Sequence, residues 1–207
     1  MKVLFVLDHP YGAGASENVP HNRSYTAPLA AAAMRGVRSA GHQVDLIDLI
    51  EDGFNPVMTK DDLAGWRLKS VVDPVAADYQ RRLLEADHLV FAFPVWWESM
   101  PAKTKGFLDK VLIKGIVYSA PDKPGLFING IKNIKSVSLI TVMSTPSFVY
   151  RWVLGNPLPK VMFRGTFRKI GVKKLRWLSA VDPAGKTLEA RQRQLQKTET
   201  QFAGLFS

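Results

Sequence analysis

The chain has 207 residues, 46% of them hydrophobic, with no cysteine and a formal net charge of +10. That length suits one α/β domain spanning residues 1–207 rather than two domains. The absence of cysteine excludes disulfides, thiol catalysis, iron–sulfur clusters and cysteine-ligated zinc. No apolar run approaches the ~20 residues needed to cross a bilayer, so no transmembrane segment is expected. The opening run ends in Asp8-His9-Pro10 and is too short for a signal-peptide core, which predicts a cytoplasmic protein.

Val3 to Leu7 is a continuous apolar run, the pattern of a buried parallel strand. After the loop Asp8 to Tyr25, the alanine-rich stretch Thr26 to Ala40 predicts a helix, with Pro28 in its first turn and Gly41 as its stop. Val44 to Leu49 is the second strand, and strand–helix–strand predicts a parallel pair with a right-handed crossover. Glu51 to Val72 lacks clean periodicity and holds Gly53, Pro56 and Gly65. It reads as a long excursion, of a length that serves function or contacts a partner. Asp73-Pro74 starts the next helix, to Ala86. His88 to Phe93 is the third strand, stopped by Pro94, and Met100-Pro101 opens a helix to about Lys114. Ser136 to Val142 is the fourth strand. A helical or irregular stretch from Ser147 passes Gly155, Pro157 and Pro159, and Phe163 to Ile170 predicts a helix ending at Gly171. Lys174 to Leu178 is the fifth strand, and Asp182-Pro183 caps a final amphipathic helix to about Ala203. Five strands alternating with helices predict an open, doubly wound α/β sheet. Such sheets bind ligands beyond the carboxyl ends of their strands, at the switch in strand order. The loops after Leu7, Phe93 and Val142 are therefore the candidate sites.

In the first loop, Ser24, Tyr25 and Thr26 stand at a helix start, where unpaired amides and a partial positive charge suit phosphate. His9 adds a ring N–H. Plain helix capping by Ser24 and Thr26, and a structural His9, are the competing readings. Gly12 and Gly14 have no third glycine at dinucleotide spacing, and no Walker-type phosphate loop is present. In the second loop, Pro94, Val95, Trp96 and Trp97 put two adjacent indoles at a strand end. They suit a flat aromatic ligand, or else a core or a dimer interface. In the third, Thr141, Ser144 and Thr145 face a ligand ring edge or form an ordinary turn. Tyr150 presents a phenol to substrate or packs. No nucleophile elbow or His-Glu-x-x-His pair is present, His21 and His42 show no metal spacing, and no metal site is expected. The basic stretch Lys160 to Lys174 holds six Lys/Arg and no acid. It is a solvated surface or an attractor of phosphate-bearing ligands such as NADPH. Without a recognition-helix pattern it does not predict nucleic-acid binding.

At Val3 to Pro10, Ser24-Tyr25-Thr26, Asp52 to Val57 and above all Phe93-Pro94-Val95-Trp96-Trp97 with Met100-Pro101-Ala102 and Lys105-Gly106-Phe107, the chain resembles the flavodoxin-like NAD(P)H quinone dehydrogenases. These are the DT-diaphorase and bacterial modulator-of-drug-activity-B type. The resemblance implies a flavodoxin-like sheet of order 2-1-3-4-5 with helices on both faces, and usually a homodimer. It implies a flavin, FAD in the family's larger quinone reductases and FMN in smaller relatives, with NADPH or NADH as electron donor to a quinone-like acceptor; chain length and the long first loop favour FAD here, with FMN as the alternative. By the same resemblance His9, Ser24, Tyr25 and Thr26 hold the flavin phosphates. Pro94, Val95, Trp96 and Trp97 line the ring, Thr141, Ser144 and Thr145 its other edge, and Tyr150 falls near the family's active-site tyrosine. The chain departs from the family in an additional stretch, Tyr11 to about Arg23, and in Met143-Ser144-Thr145 where Thr-Gly-Gly is common. A flavin-bearing electron carrier and an ancillary regulatory subunit are the alternative functions.

Overall fold

The computed structural model describes residues 1–17, 19, 23–120 and 127–205. Part of the additional stretch in the first loop, with His21, lies outside these residues. Five parallel strands form the main sheet: β1 (Lys2–Leu7), β2 (Gln43–Asp48), β3 (His88–Pro94), β4 (Ser136–Met143) and β5 (Lys174–Val181). Their order is β2-β1-β3-β4-β5, as the resemblance implied. Leu7 pairs with Ala92, and Pro94 with Val142, so the carboxyl ends of β1, β3 and β4 lie side by side.

The alternation of the strands sorts residues onto two faces. Val3, Phe5 and Leu7 pack beneath α1 (Thr26–Ser39) against Leu29, Ala33 and Val37. Leu4 and Val6 face the opposite side, with Tyr79 and Leu83 of α3 (Pro74–Glu85) and Phe107 and Val111 of α4 (Ala102–Val111). All of these side chains are buried, so helices cover both faces. The last helix, α5 (Leu188–Ala203), lies on α1 so closely that a Cβ on Gly36 would come within 2.1 Å of the Glu199 carbonyl oxygen. Only glycine fits that crossing.

Several boundaries differ from the sequence expectation. The excursion contains a helix, α2 (Lys60–Leu68), hidden by low apolar periodicity but secured by a capping box between Thr59 and Asp62. α4 ends at Val111, before Lys114, where the Val111 carbonyl accepts a hydrogen bond from Gln80 Nε2 at 2.8 Å. A two-stranded hairpin, Tyr118–Ser119 with Ile128–Asn129, follows. The helix expected from Phe163 begins earlier. One turn at Pro157–Pro159 runs into a π-helix, Lys160–Arg168, because proline fits a helix start. Asp182-Pro183 does not cap α5. The Asp182 carboxylate accepts from Gly185 N, and Thr187 provides the cap through Ala190 N. Among the described residues no helix is long and apolar enough to cross a membrane.

Candidate functional site

The site is built at the joined carboxyl ends of β1, β3 and β4. β1 runs out into Asp8, which is buried. Its Oδ2 accepts from both the backbone N and the Oγ1 of Thr104, each at 2.7 Å. Pro101, at the start of α4, has no side-chain acceptor to offer, so Asp8 caps that helix from a neighbouring strand. Burial raises the Asp8 pKa, and the two Thr104 bonds oppose that rise. Asp48, at the end of β2, holds the next turn of the first loop by accepting from Ala13 N at 2.6 Å.

His9 is buried, and burial lowers its pKa. Its Nδ1 stands 3.3 Å from the Tyr11 amide as acceptor, so the neutral ring carries its proton on Nε2 as a donor. Ser24 caps α1 by accepting from Ala27 N at 3.0 Å, which is the plain capping role weighed against phosphate binding. Thr26 is buried in the first helical turn. The Tyr25 phenol is turned away from the helix start into the α1–α5 contact, donating to the Arg191 carbonyl at 2.8 Å. Burial lifts its pKa to about 12. That contact brings Arg191 to the start of α1, and the Arg191 Nε is buried without a hydrogen-bond partner among the described residues. An anion such as phosphate is the kind of group that would satisfy this donor.

The second loop is a tight turn rather than an open strand end. Val95 N donates to Val142 O at 2.8 Å, and Trp96 and Ser99 exchange backbone bonds of 3.0 Å. Trp97 and Glu98 between them have φ of 50° and 60°, the signature of a type I′ two-residue turn made without glycine. The amides of Val95 and Trp96 are therefore engaged by the protein. The two indoles are not core: Trp96 is 47% and Trp97 100% exposed, while Pro94 and Val95 are half-buried beneath them. Glu98 locks the turn to the third loop. Its Oε1 accepts from Thr145 Oγ1 at 2.6 Å, its carbonyl accepts from Tyr150 OH at 2.8 Å, and its buried Oε2 has no partner among the described residues.

The remaining expected residues separate. Ser144 is exposed at the rim. Thr141 is fully buried and points along the sheet, accepting from Trp177 Nε1 at 2.8 Å, so its side chain lines no open site. Tyr150 is likewise fully buried. Its hydroxyl also accepts from Leu158 N at 3.1 Å, and burial lifts its pKa to about 12. The phenol is thus held from both sides and ties the tryptophan turn to the segment at Leu158. Sequence patterns give no direct sign of Asp8, Glu98 or Arg191. The usable hints are an acid directly after a buried strand and an acid inside an aromatic turn.

Adjacent strands thus lead into a helix start with Arg191 beside it and into an exposed pair of indoles, and two buried polar atoms, Arg191 Nε and Glu98 Oε2, lack partners among the described residues. These features fit a flat ring with a phosphate tail. Among the described residues no group of three or more His, Asp or Glu side chains is placed to hold a metal ion.

Known proteins share this architecture. An uncharacterized NAD(P)H oxidoreductase of Escherichia coli, YcaK, is 38% identical over 100 residues, which cover 48% of this chain and 51% of that protein. The chain spans about half the length of several curated relatives it matches. An NAD(P)H:quinone oxidoreductase from Methanothermobacter marburgensis superposes with a TM-score of 0.80 at 20% identity, over 99% of this chain and 98% of its own. An FMN-dependent NADH-azoreductase from Bacillus anthracis, solved with FMN, superposes with a TM-score of 0.75 at 13% identity, over 98% and 99%. The family model described as flavodoxin-like fold matches residues 1–203, and the chain belongs to that family.

Proposed function

We propose that this protein is a flavin-dependent NAD(P)H oxidoreductase that reduces quinones or similarly flat acceptors by two-electron transfer. The observation that carries the reading is that the α1 start, with Arg191 beside it, and the exposed indoles of Trp96 and Trp97 follow the carboxyl ends of the adjacent strands β1 and β3. The names of its relatives support the same chemistry. Hydride uptake from NADPH or NADH, and its delivery to the acceptor, is the chemistry that a bound flavin would supply. His9, Ser24, Thr26, the Tyr25 backbone and Arg191 would hold its phosphates. Pro94, Val95, Trp96 and Trp97 would line its ring, with Ser144 and Thr145 at the rim. The chain's part is orientation and exclusion of water. Tyr150 keeps the turn in register through Glu98 and transfers no proton.

FAD is the form that the sequence reading favours, and FMN is the form the azoreductase neighbour carries. Mass spectrometry of the released flavin separates them. Absorbance near ~450 nm that bleaches with NADPH is the expected result for the purified protein. A colourless protein that takes up neither flavin would defeat the enzyme and electron-carrier readings alike, leaving the regulatory one. A coloured protein that NADPH and NADH both fail to bleach would favour the carrier. We place the protein in the cytoplasm, where reduced nicotinamide is supplied. We also propose a homodimer joined through the excursion, whose side chains Val57, Met58, Leu63, Leu68 and Val72 are apolar and exposed. Sedimentation velocity is expected to show a dimer that Leu68→Glu splits.

A further inference from the structure

The segment after β4 carries an apolar surface that the proposed redox chemistry does not use. Phe148 is 66%, Trp152 85% and Val153 71% exposed, and Leu154 and Val161 are exposed beside them. The segment is well fixed. Asn156 N donates to the Tyr150 carbonyl at 2.8 Å and Leu154 N to that of Val149 at 2.9 Å, while the Tyr150 hydroxyl is held from two sides. The ridge is thus a built feature of the fold.

Next to it lies a cleft of about 490 Å³ whose lining includes Arg151, Lys160, Arg164 and Arg168. Among the described residues none of these four cations forms an ion pair, whereas Lys2, Arg35, Arg81, Arg82, Lys105, Lys110 and Lys135 all do. Lys160, Arg164 and Arg168 recur every four residues along the π-helix, which keeps them on one side. Trp152, Val153 and Leu154 fall in the chain between Arg151 and Gly155, both of which line the cleft. The apolar ridge is therefore the rim of the basic cleft.

We propose that this face docks on an anionic lipid surface. Phosphate headgroups would enter among the four cations, while Trp152 and its aliphatic neighbours would settle at the boundary between headgroups and acyl chains. Tryptophan suits that boundary because its large apolar ring carries one polar N–H. The net charge of +10 adds long-range attraction to such a surface. A second copy of the chain fits less well, because it would set one cationic cluster without ion-pair partners among the described residues against another. Docking would bring the carboxyl ends of the strands close to lipid-dissolved acceptors, a consequence that rests on the proposed redox function. The docking itself does not.

The test is co-sedimentation of the full chain with vesicles of phosphatidylcholine alone and of phosphatidylcholine with an equal part of phosphatidylglycerol. The protein is expected to pellet with the anionic vesicles only, and to be released as salt rises. The double variant Arg164→Glu, Arg168→Glu is expected to lower partitioning about tenfold or more. Trp152→Ser should lower it several-fold and should not alter NADPH oxidation in solution. Equal sedimentation with both vesicle types, or unchanged partitioning of the double variant, overturns the proposal. So does a dimer in solution that Trp152→Ser splits, because the ridge would then be covered by a second copy.

Discussion

The two ends of the same five strands are finished in opposite ways. At the amino ends, charges are paired. Lys2 Nζ lies 3.1 Å from Asp45 and 2.9 Å from Glu85, Arg82 grips Asp45 and the Leu46 carbonyl, and Lys135 meets Asp87 at 3.1 Å. At the carboxyl ends, Trp97 and Glu98 sit in left-handed backbone, two indoles face solvent, and Glu98 Oε2 and Arg191 Nε are buried without partners among the described residues. An open parallel sheet needs only one end for chemistry. The contrast sets a charge-paired end against one that carries left-handed backbone and exposed indoles, and strain of that kind is characteristic of functional sites.

The largest effect that tests this division is the response of the amino end to acid. His88 is buried with its Nδ1 2.7 Å from Ser136 Oγ, and burial lowers its pKa from 6.5 to about 4. Between those values the unfolded chain binds a proton that the native state refuses. Stability is therefore full above pH 6.5 and falls as pH drops toward 4, by on the order of 3 kcal/mol. The bonds of Lys2 and Lys135 to Asp87 depress its carboxyl despite some burial, and this adds loss in the same direction at lower pH. Thermal melts are expected to show this slope, and His88→Gln to flatten it between pH 6.5 and 4.5. An unchanged slope would move the acid-sensitive group away from this end.

Next in size is Arg191→Ala at the carboxyl end. The change removes a donor that has no protein partner, so the flavin-free protein should melt within about 0.5 kcal/mol of wild type. Flavin affinity should fall about tenfold to a hundredfold, the worth of one charge-assisted bond to phosphate. Titration by flavin fluorescence measures it. A loss of stability without a loss of affinity would make Arg191 part of the scaffold. Tyr150→Phe should cost about 1 kcal/mol, since it removes a donor to Glu98 and an acceptor for Leu158 N. Steady-state quinone reduction should slow several-fold and keep its pH profile. A shifted profile would mean that the phenol handles a proton.

The scaffold was more legible in the sequence than the site. Val3 to Leu7 and His88 to Phe93 are uninterrupted apolar runs, and such runs have few other places to go than a buried parallel strand. The strand-end rule then singled out the loops after β1, β3 and β4, which the structure sets side by side. Side-chain direction within them was not legible, because it depends on neighbours distant in the chain. Thr141 turns to Trp177, Tyr25 to Arg191, and Tyr150 to Glu98. The helix α2 was missed for a related reason. Its stability lies in the Thr59–Asp62 cap and in the buried contact of Asp62 with Lys110, 3.3 Å apart, rather than in apolar periodicity.

The smallest effect carries an unusual sign and bears most directly on the contrast between the two ends. Trp97 has φ of 50° and a fully exposed ring, so its side chain adds strain and returns no packing in the free protein. Glycine adopts that backbone without the Cβ conflict. Trp97→Gly is therefore expected to stabilise the flavin-free protein by about 1 kcal/mol, less whatever the more flexible unfolded chain takes back. Flavin binding should weaken at the same time, because a flat stacking surface is lost. Chemical denaturation and flavin titration on one preparation read both quantities. If Trp97→Gly instead destabilises the protein, the indole is packed in solution, against a second subunit for example. The carboxyl end would then be holding the fold as well as the site.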